Sequence, residues 1–297
     1  MVMFPVGLYR NGTLHLKVPP VHRTTRRNMR TWLLILLSPV AAAALTITEG
    51  DFNYSPGITG SFYYLTDGTW SGWDGSVSSW DFSGISSSEY SGFDVMEKSD
   101  SPHGGSFGSA DYAERVVQAD VGTVWFYSSL SGNYLQHGAT LPWLSYQYKV
   151  TYSPVTTYLD FPLSLGKSWS YEFTYDFWVG FIHVIVNESH SKEIVGSGII
   201  RVPASGGNWW PCLVLRDHAI ISDNWGVTNK NVWIYSWLVP NGFIGQSGVA
   251  SIESADGAGP GFTSYSTRYV LASSNISPDP WSAMNSTTWG RIKSLTD

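Results

Sequence analysis

Cysteine is almost missing from this chain. Cys212 is the only one in 297 residues, so no disulfide can form within it. The roughly 250 residues after position 44 must therefore be held together by burial, which a chain of that size can supply. Cys212 sits before Leu213-Val214-Leu215 and reads as a small hydrophobe in a strand rather than a reactive thiol. Long apolar runs are lacking too. The stretch from Trp32 to Leu37 is far shorter than the roughly 20 residues a membrane helix needs. Segments with a helical period are scarce, which argues against parallel sheets, since those need crossover helices. No Gly-x-Ser-x-Gly elbow lies between a strand and a helix, the Gly/Ser run at Gly104-Gly105-Ser106 following from composition, and no phosphate-binding glycine loop or His-Glu-x-x-His helix occurs. His183 and His190 have no accompanying cysteines at zinc-type spacing, so no metal and no cofactor is expected.

Basic residues are few and concentrated at the start. Arg10, Lys17, Arg23, Arg26, Arg27 and Arg30 precede or flank the apolar run, small residues Ala41 to Ala44 follow it, and no acidic residue occurs before position 45. A positive region, a short apolar stretch and a small-residue exit form the pattern of a secretory signal. Residues 1–44 are thus expected to direct export to the periplasm, cell surface or medium. A start at Met29 would leave 1–28 untranslated. Removing those six of 17 basic residues and none of the 23 acidic ones leaves a net charge of −12. Nucleic-acid binding draws its affinity from clustered Lys and Arg, so a nucleic-acid partner is set aside.

What is plentiful is aromatic and β-branched sequence in short runs between Gly, Ser, Asn, Asp and Pro. This predicts an all-β fold, a curved antiparallel sheet arranged as a meander, half-barrel or sandwich. The expected domain is 45–272, with 110–272 as the main sheet and 45–109 as a loop-rich subregion dense in Gly, Ser and aromatics. Residues 273–297 read as a linker and a short basic tail.

The segment Leu159-Asp160-Phe161-Pro162-Leu163-Ser164-Leu165-Gly166-Lys167-Ser168-Trp169 resembles an element of uncharacterised secreted bacterial β-sheet proteins, a Phe-Pro-Leu-x-x-Gly-Lys-Ser-Trp hairpin. The resemblance covers about 110–272. It implies that Pro162 ends one strand, Gly166 turns the chain and Trp169 covers the start of the next. A weaker similarity is to the half-barrels of Lol-type lipoprotein carriers, which hold an acyl chain, although no amphipathic helix that would plug the concave face is evident.

Trp70, Trp73 and Trp80 are interspersed with Asp67, Asp74 and Asp81. Aromatic rings beside carboxylates can stack on sugars, so these six are the candidate ligand-binding residues; more commonly, such rings pack beneath the Gly/Ser-rich loops. Asp160, Glu172, Asp176, Glu188 and Glu193 are the carboxylates that a glycosidase could draw on. Asp217 and His218 are neighbours whose side chains should point to opposite faces of a strand. No catalytic residue is assigned. The leading expectation is an exported non-enzymatic binding or structural module with an unknown partner. The alternatives are a carbohydrate-binding module or glycoside hydrolase, with a glycan partner, and a lipid or lipoprotein carrier.

Overall fold

The computed structural model describes residues 45–118, 122–143, 146–226, 228–241, 248–276 and 278. The segment expected to be an export signal, 1–44, and the terminal basic peptide lie outside the described residues. Along the chain the strands are β1 (Thr46–Ile47), β2 (Thr59–Thr69), β3 (Ser79–Asp81), β4 (Tyr90–Glu97), β5 (Tyr112–Gln118), β6 (Gly122–Leu130), β7 (Tyr134–Trp143), β8 (Tyr146–Leu159), β9 (Leu163–Ser164), β10 (Ser168–Val179), β11 (Ile182–Arg201), β12 (Trp210–Asp223), β13 (Lys230–Leu238), β14 (Ala250–Ser254) and β15 (Ser264–Ser274). The all-β, antiparallel expectation holds, and the curvature runs to completion. One sheet is ordered β10-β8-β7-β6-β5-β4-β2-β15-β14-β13-β12-β11, and β11 returns to pair with β10, so twelve strands close into a barrel. The seam is narrow on one side, where β8 and β10 share the single register pair Thr174↔Ser153.

Two features depart from the sequence reading. Residues 90–97 do not lie in a loop region: β4 is a full stave between β2 and β5, with Ser91, Phe93 and Val95 buried and the residues between them more exposed. Gly92 and Asp94 disguise that alternation. The second departure is β3, which pairs in parallel with the far end of β11 (Ile199↔Ser79). Gly198 makes this approach feasible, because a Cβ there would stand 2.0 Å from the Ser78 carbonyl oxygen.

The pleat separates two faces. On β10 and β11 one set of positions, among them Tyr171, Phe173, Tyr175, Phe177, Val186 and Ile194, packs inward. The alternate set, Ser168, Ser170, Glu172 and Asn187, Ser191, is polar and exposed. A barrel set in lipid shows the reverse, apolar outside and polar within. Among the described residues no helix is long and apolar enough to cross a membrane.

About eight strands leave an interior just wide enough for side chains to fill. Twelve leave more, and the chain spends its aromatics on the difference. Tyr152 from β8 packs on Phe173 and Tyr175 of the neighbouring β10, and Lys192 lies over the rings of Tyr158 and Tyr171. One end is sealed by the leading segment, where β1 pairs with β9 and Phe52 packs on Tyr54, Tyr134 and Phe161. A second layer lies outside β12 to β15, where residues 70–85 are folded over Tyr235 and Trp237.

The Phe161–Trp169 element turns as expected between β9 and β10. Gly166 has φ +84°, its amide donates to the Ile194 carbonyl, and open space surrounds the position of a Cβ. Trp169 is half-buried against the main core. Since only backbone conformation demands glycine here, Gly166→Ala should cost about 1–2 kcal/mol without altering the fold. Denaturant melts read this directly, and an unchanged midpoint would show that the turn relaxes to negative φ.

Candidate functional site

β6, β7, β8, β10, β11 and β12 bring their ends together around a cavity of about 430 Å³. Tyr134, at the sealed end, and Pro142, at the cavity, lie at opposite ends of β7, so the cavity occupies the end away from the β1–β9 plug. Its walls come from inward positions: Leu141 on β7, Tyr148 on β8, Phe177 and Val179 on β10, Ile182 and Val184 on β11. Tyr175 and Val186, one pleat further in, close its inner end. Trp225 and Thr228, in the β12–β13 connection, stand at the rim. The Asp223 carboxylate holds that connection by accepting the backbone amides of Trp225 (2.6 Å) and Thr228.

The rim is unusually apolar for an exposed surface. Phe181, at the tip of the β10–β11 hairpin, is 91% exposed, and Trp225 is 60% exposed. Trp225 is held in place, because its Nε1 donates to the His183 carbonyl at 2.8 Å. On the outer side of the same hairpin Trp178 stacks on the His183 ring at 4.5 Å, and His183 Nε2 lies 2.8 Å from Asp176.

Behind the cavity lies a buried polar chain. The Tyr175 hydroxyl donates to Glu188 (3.0 Å), Glu188 approaches His190 Nε2 (3.5 Å), His190 Nδ1 lies 3.0 Å from Asp217, and Lys192 Nζ stands 3.5 Å from the same carboxylate. Lys192 also donates to the Tyr158 carbonyl and sits 3.4 Å above that ring's centroid. Burial pushes the Lys192 ammonium down to about 8, with Asp217 holding it from falling further. Burial pushes Asp217 up, yet Lys192's charge and the His190 contact outweigh it and leave the carboxyl below its ordinary value. Burial likewise pulls His190 down, but its bonds to Asp217 and Glu188 carry it above the ordinary imidazole value. Tyr175 is raised by burial, by the charge and hydrogen bond of Glu188, and by the charge of Asp223. Asp223 is therefore felt at the inner end of the cavity.

A separate buried acid stands nearer the plug. Glu114 on β5 accepts from the hydroxyls of Tyr54, Tyr134 and Ser128 through one oxygen, while Oε2 has no partner among the described residues. Burial raises it to about 7 against the hydrogen bonds that would lower it.

The residues singled out from sequence lie elsewhere. Trp73 stacks on Trp80 (6.1 Å) and Tyr235 (5.1 Å), and Trp70 packs on Tyr235 and Phe262 with its Nε1 donating to the Phe262 carbonyl. Trp80 is buried and the other two are half-buried, so the three rings lie together in the layer over β12 and β13. Asp81 pairs with Arg201, Asp74 accepts from Ser76, and Asp67 occupies a left-handed bend at φ 49°. Of the carboxylates considered for glycoside chemistry, Asp160 pairs with Lys167, Glu193 with Arg216, Asp176 with His183 and Glu188 with Tyr175, while the exposed Glu172 shares a groove with Glu188. Asp217 faces inward and His218 outward onto Trp233 (4.2 Å), as strand alternation requires. Among the described residues no group of His, Cys, Asp and Glu is placed to hold a metal ion.

Sequence reasoning did not find the cavity or the buried chain. One signal was present: Glu188, His190 and Lys192 share the parity of Val184, Val186 and Ile194, which places three polar residues on the inward face of a strand.

No protein-family model matches the chain, and no curated protein matches it. Among solved structures, a candidate lipoprotein from Parabacteroides distasonis aligns at 11% identity over 77% of this chain and 99% of that one, with a TM-score of 0.36. A likeness at that level carries no argument about the activity of this barrel.

Proposed function

We propose that this protein is an exported binding protein that holds a small apolar ligand of the hydrocarbon-chain class in the cavity at the open end of the barrel. The observation that carries this reading is the cavity itself, about 430 Å³ and walled by aliphatic and aromatic side chains from five strands. That volume lies in the range of small-molecule sites, and a concave, largely apolar lining suits hydrocarbon. The exposed rings at the rim supply further apolar surface continuous with the mouth. Export rests on the basic, apolar and small-residue order of positions 1–44.

Displacement of a fluorescent apolar probe by decanol tests the reading. The native protein should bind one equivalent, and Val184→Trp, which projects an indole into the cavity, should weaken binding by roughly tenfold or more while the melting midpoint stays within a few degrees. Equal binding by native protein and variant, or no binding by either, would remove the cavity as the site.

A further inference from the structure

Within the wall of this cavity, charge is distributed in one direction only. Asp223 is the one charged residue among the described residues that line it. The polar chain beyond Tyr175 contributes two carboxylates, Glu188 and Asp217, and two bases, His190 and Lys192, which offset each other. Among the described residues no lysine or arginine lines the mouth, whereas Trp225 presents an exposed ring there, anchored through its backbone amide to Asp223 and through its indole to the His183 carbonyl. A carboxylate beside a fixed indole attracts a cation and repels an anion, and in a low-dielectric mouth both effects exceed their values in water.

We infer that the cavity selects its ligand by head-group charge: it takes a single-chain amphiphile whose hydrocarbon lies against Phe177 and Val184 and whose cationic head, of the quaternary ammonium kind, rests between Asp223 and Trp225. Fatty carboxylates of the same chain length are disfavoured. The inference rests on the cavity being the binding site, and it adds the chemical class of the ligand.

Calorimetric titration with decyltrimethylammonium, decanol and decanoate, each below its micellar concentration and at low salt, separates the two claims. The expected order is ammonium, then alcohol, then carboxylate, with about tenfold between the first and last. Asp223→Asn removes the charge and keeps an acceptor for one of the two backbone amides, so it should bring the three affinities to within about threefold. Trp225→Leu, which leaves the carboxylate in place and keeps an apolar side chain at the mouth, should weaken the ammonium compound severalfold more than it weakens decanol; this second variant serves if the first does not fold. Decanoate binding as tightly as the ammonium compound to the native protein would overturn the charge inference while leaving the cavity reading intact. Failure of all three to bind would overturn the cavity reading as well.

Discussion

Asp217→Asn should destabilise this barrel by about 3–5 kcal/mol near neutral pH, the cost of leaving a buried charge without its partner. Lys192 has a fully buried side chain and meets Asp217 at 3.5 Å, while His190 touches the same carboxylate from the neighbouring pleat. Removing the negative charge leaves two buried bases with only Glu188 to offset them. The ammonium would then shed its proton more readily than it already does, and the loss should shrink as pH rises past the native Lys192 value of about 8. Asp217→Asn combined with Lys192→Met should recover most of the loss, because replacing both members of a buried pair by groups of similar shape is often neutral. Urea melts of the two single variants and the double variant measure the coupling. A loss below about 1 kcal/mol for Asp217→Asn would mean that water reaches the chain and screens it.

A second large effect concerns acid. Glu114 holds its proton up to about pH 7 in the folded protein, against an ordinary value of 4.5. Between those values the native state binds more protons than the unfolded chain, so stability falls as pH rises through that window and remains lower above it. The shift corresponds to about 3 kcal/mol. His190, whose native value is also raised, contributes in the same direction as pH climbs beyond its ordinary value. Glu114→Gln isolates the carboxyl: its stability should lack this part of the pH slope and should exceed that of the native protein above pH 7. Parallel slopes for both proteins between pH 4 and 8 would show that Glu114 ionises on contact with water.

The location of Glu114 gives that titration a structural reading. The Tyr54 hydroxyl that bonds to it belongs to the leading segment that plugs the barrel, where Phe52 and Tyr54 pack on Tyr134. Ionisation therefore acts on the contact between plug and barrel rather than on the cavity, which lies at the other end of β7.

The sequence by itself determined the class of this fold, because period-two alternation and β-branched or aromatic runs are local properties that a strand expresses wherever it lies. It also placed the turn at Gly166, where φ alone demands glycine, and sent Asp217 and His218 to opposite faces, since the pleat obliges neighbours to diverge. Closure was decided only in three dimensions. Whether twelve strands meet depends on accumulated twist and on the contact between β8 and β10, none of which is written in any single segment. The same closure created the candidate site. Tyr175, Val184 and Asp223 are far enough apart in sequence to show no motif, and they share a cavity because a barrel this wide cannot be filled by side chains at both ends. The aromatics of 70–80 illustrate the opposite case. Their composition is legible and favours packing beneath the loops over a sugar platform, but which surfaces the rings cover follows only from the packing of Trp73 against Trp80 and Tyr235.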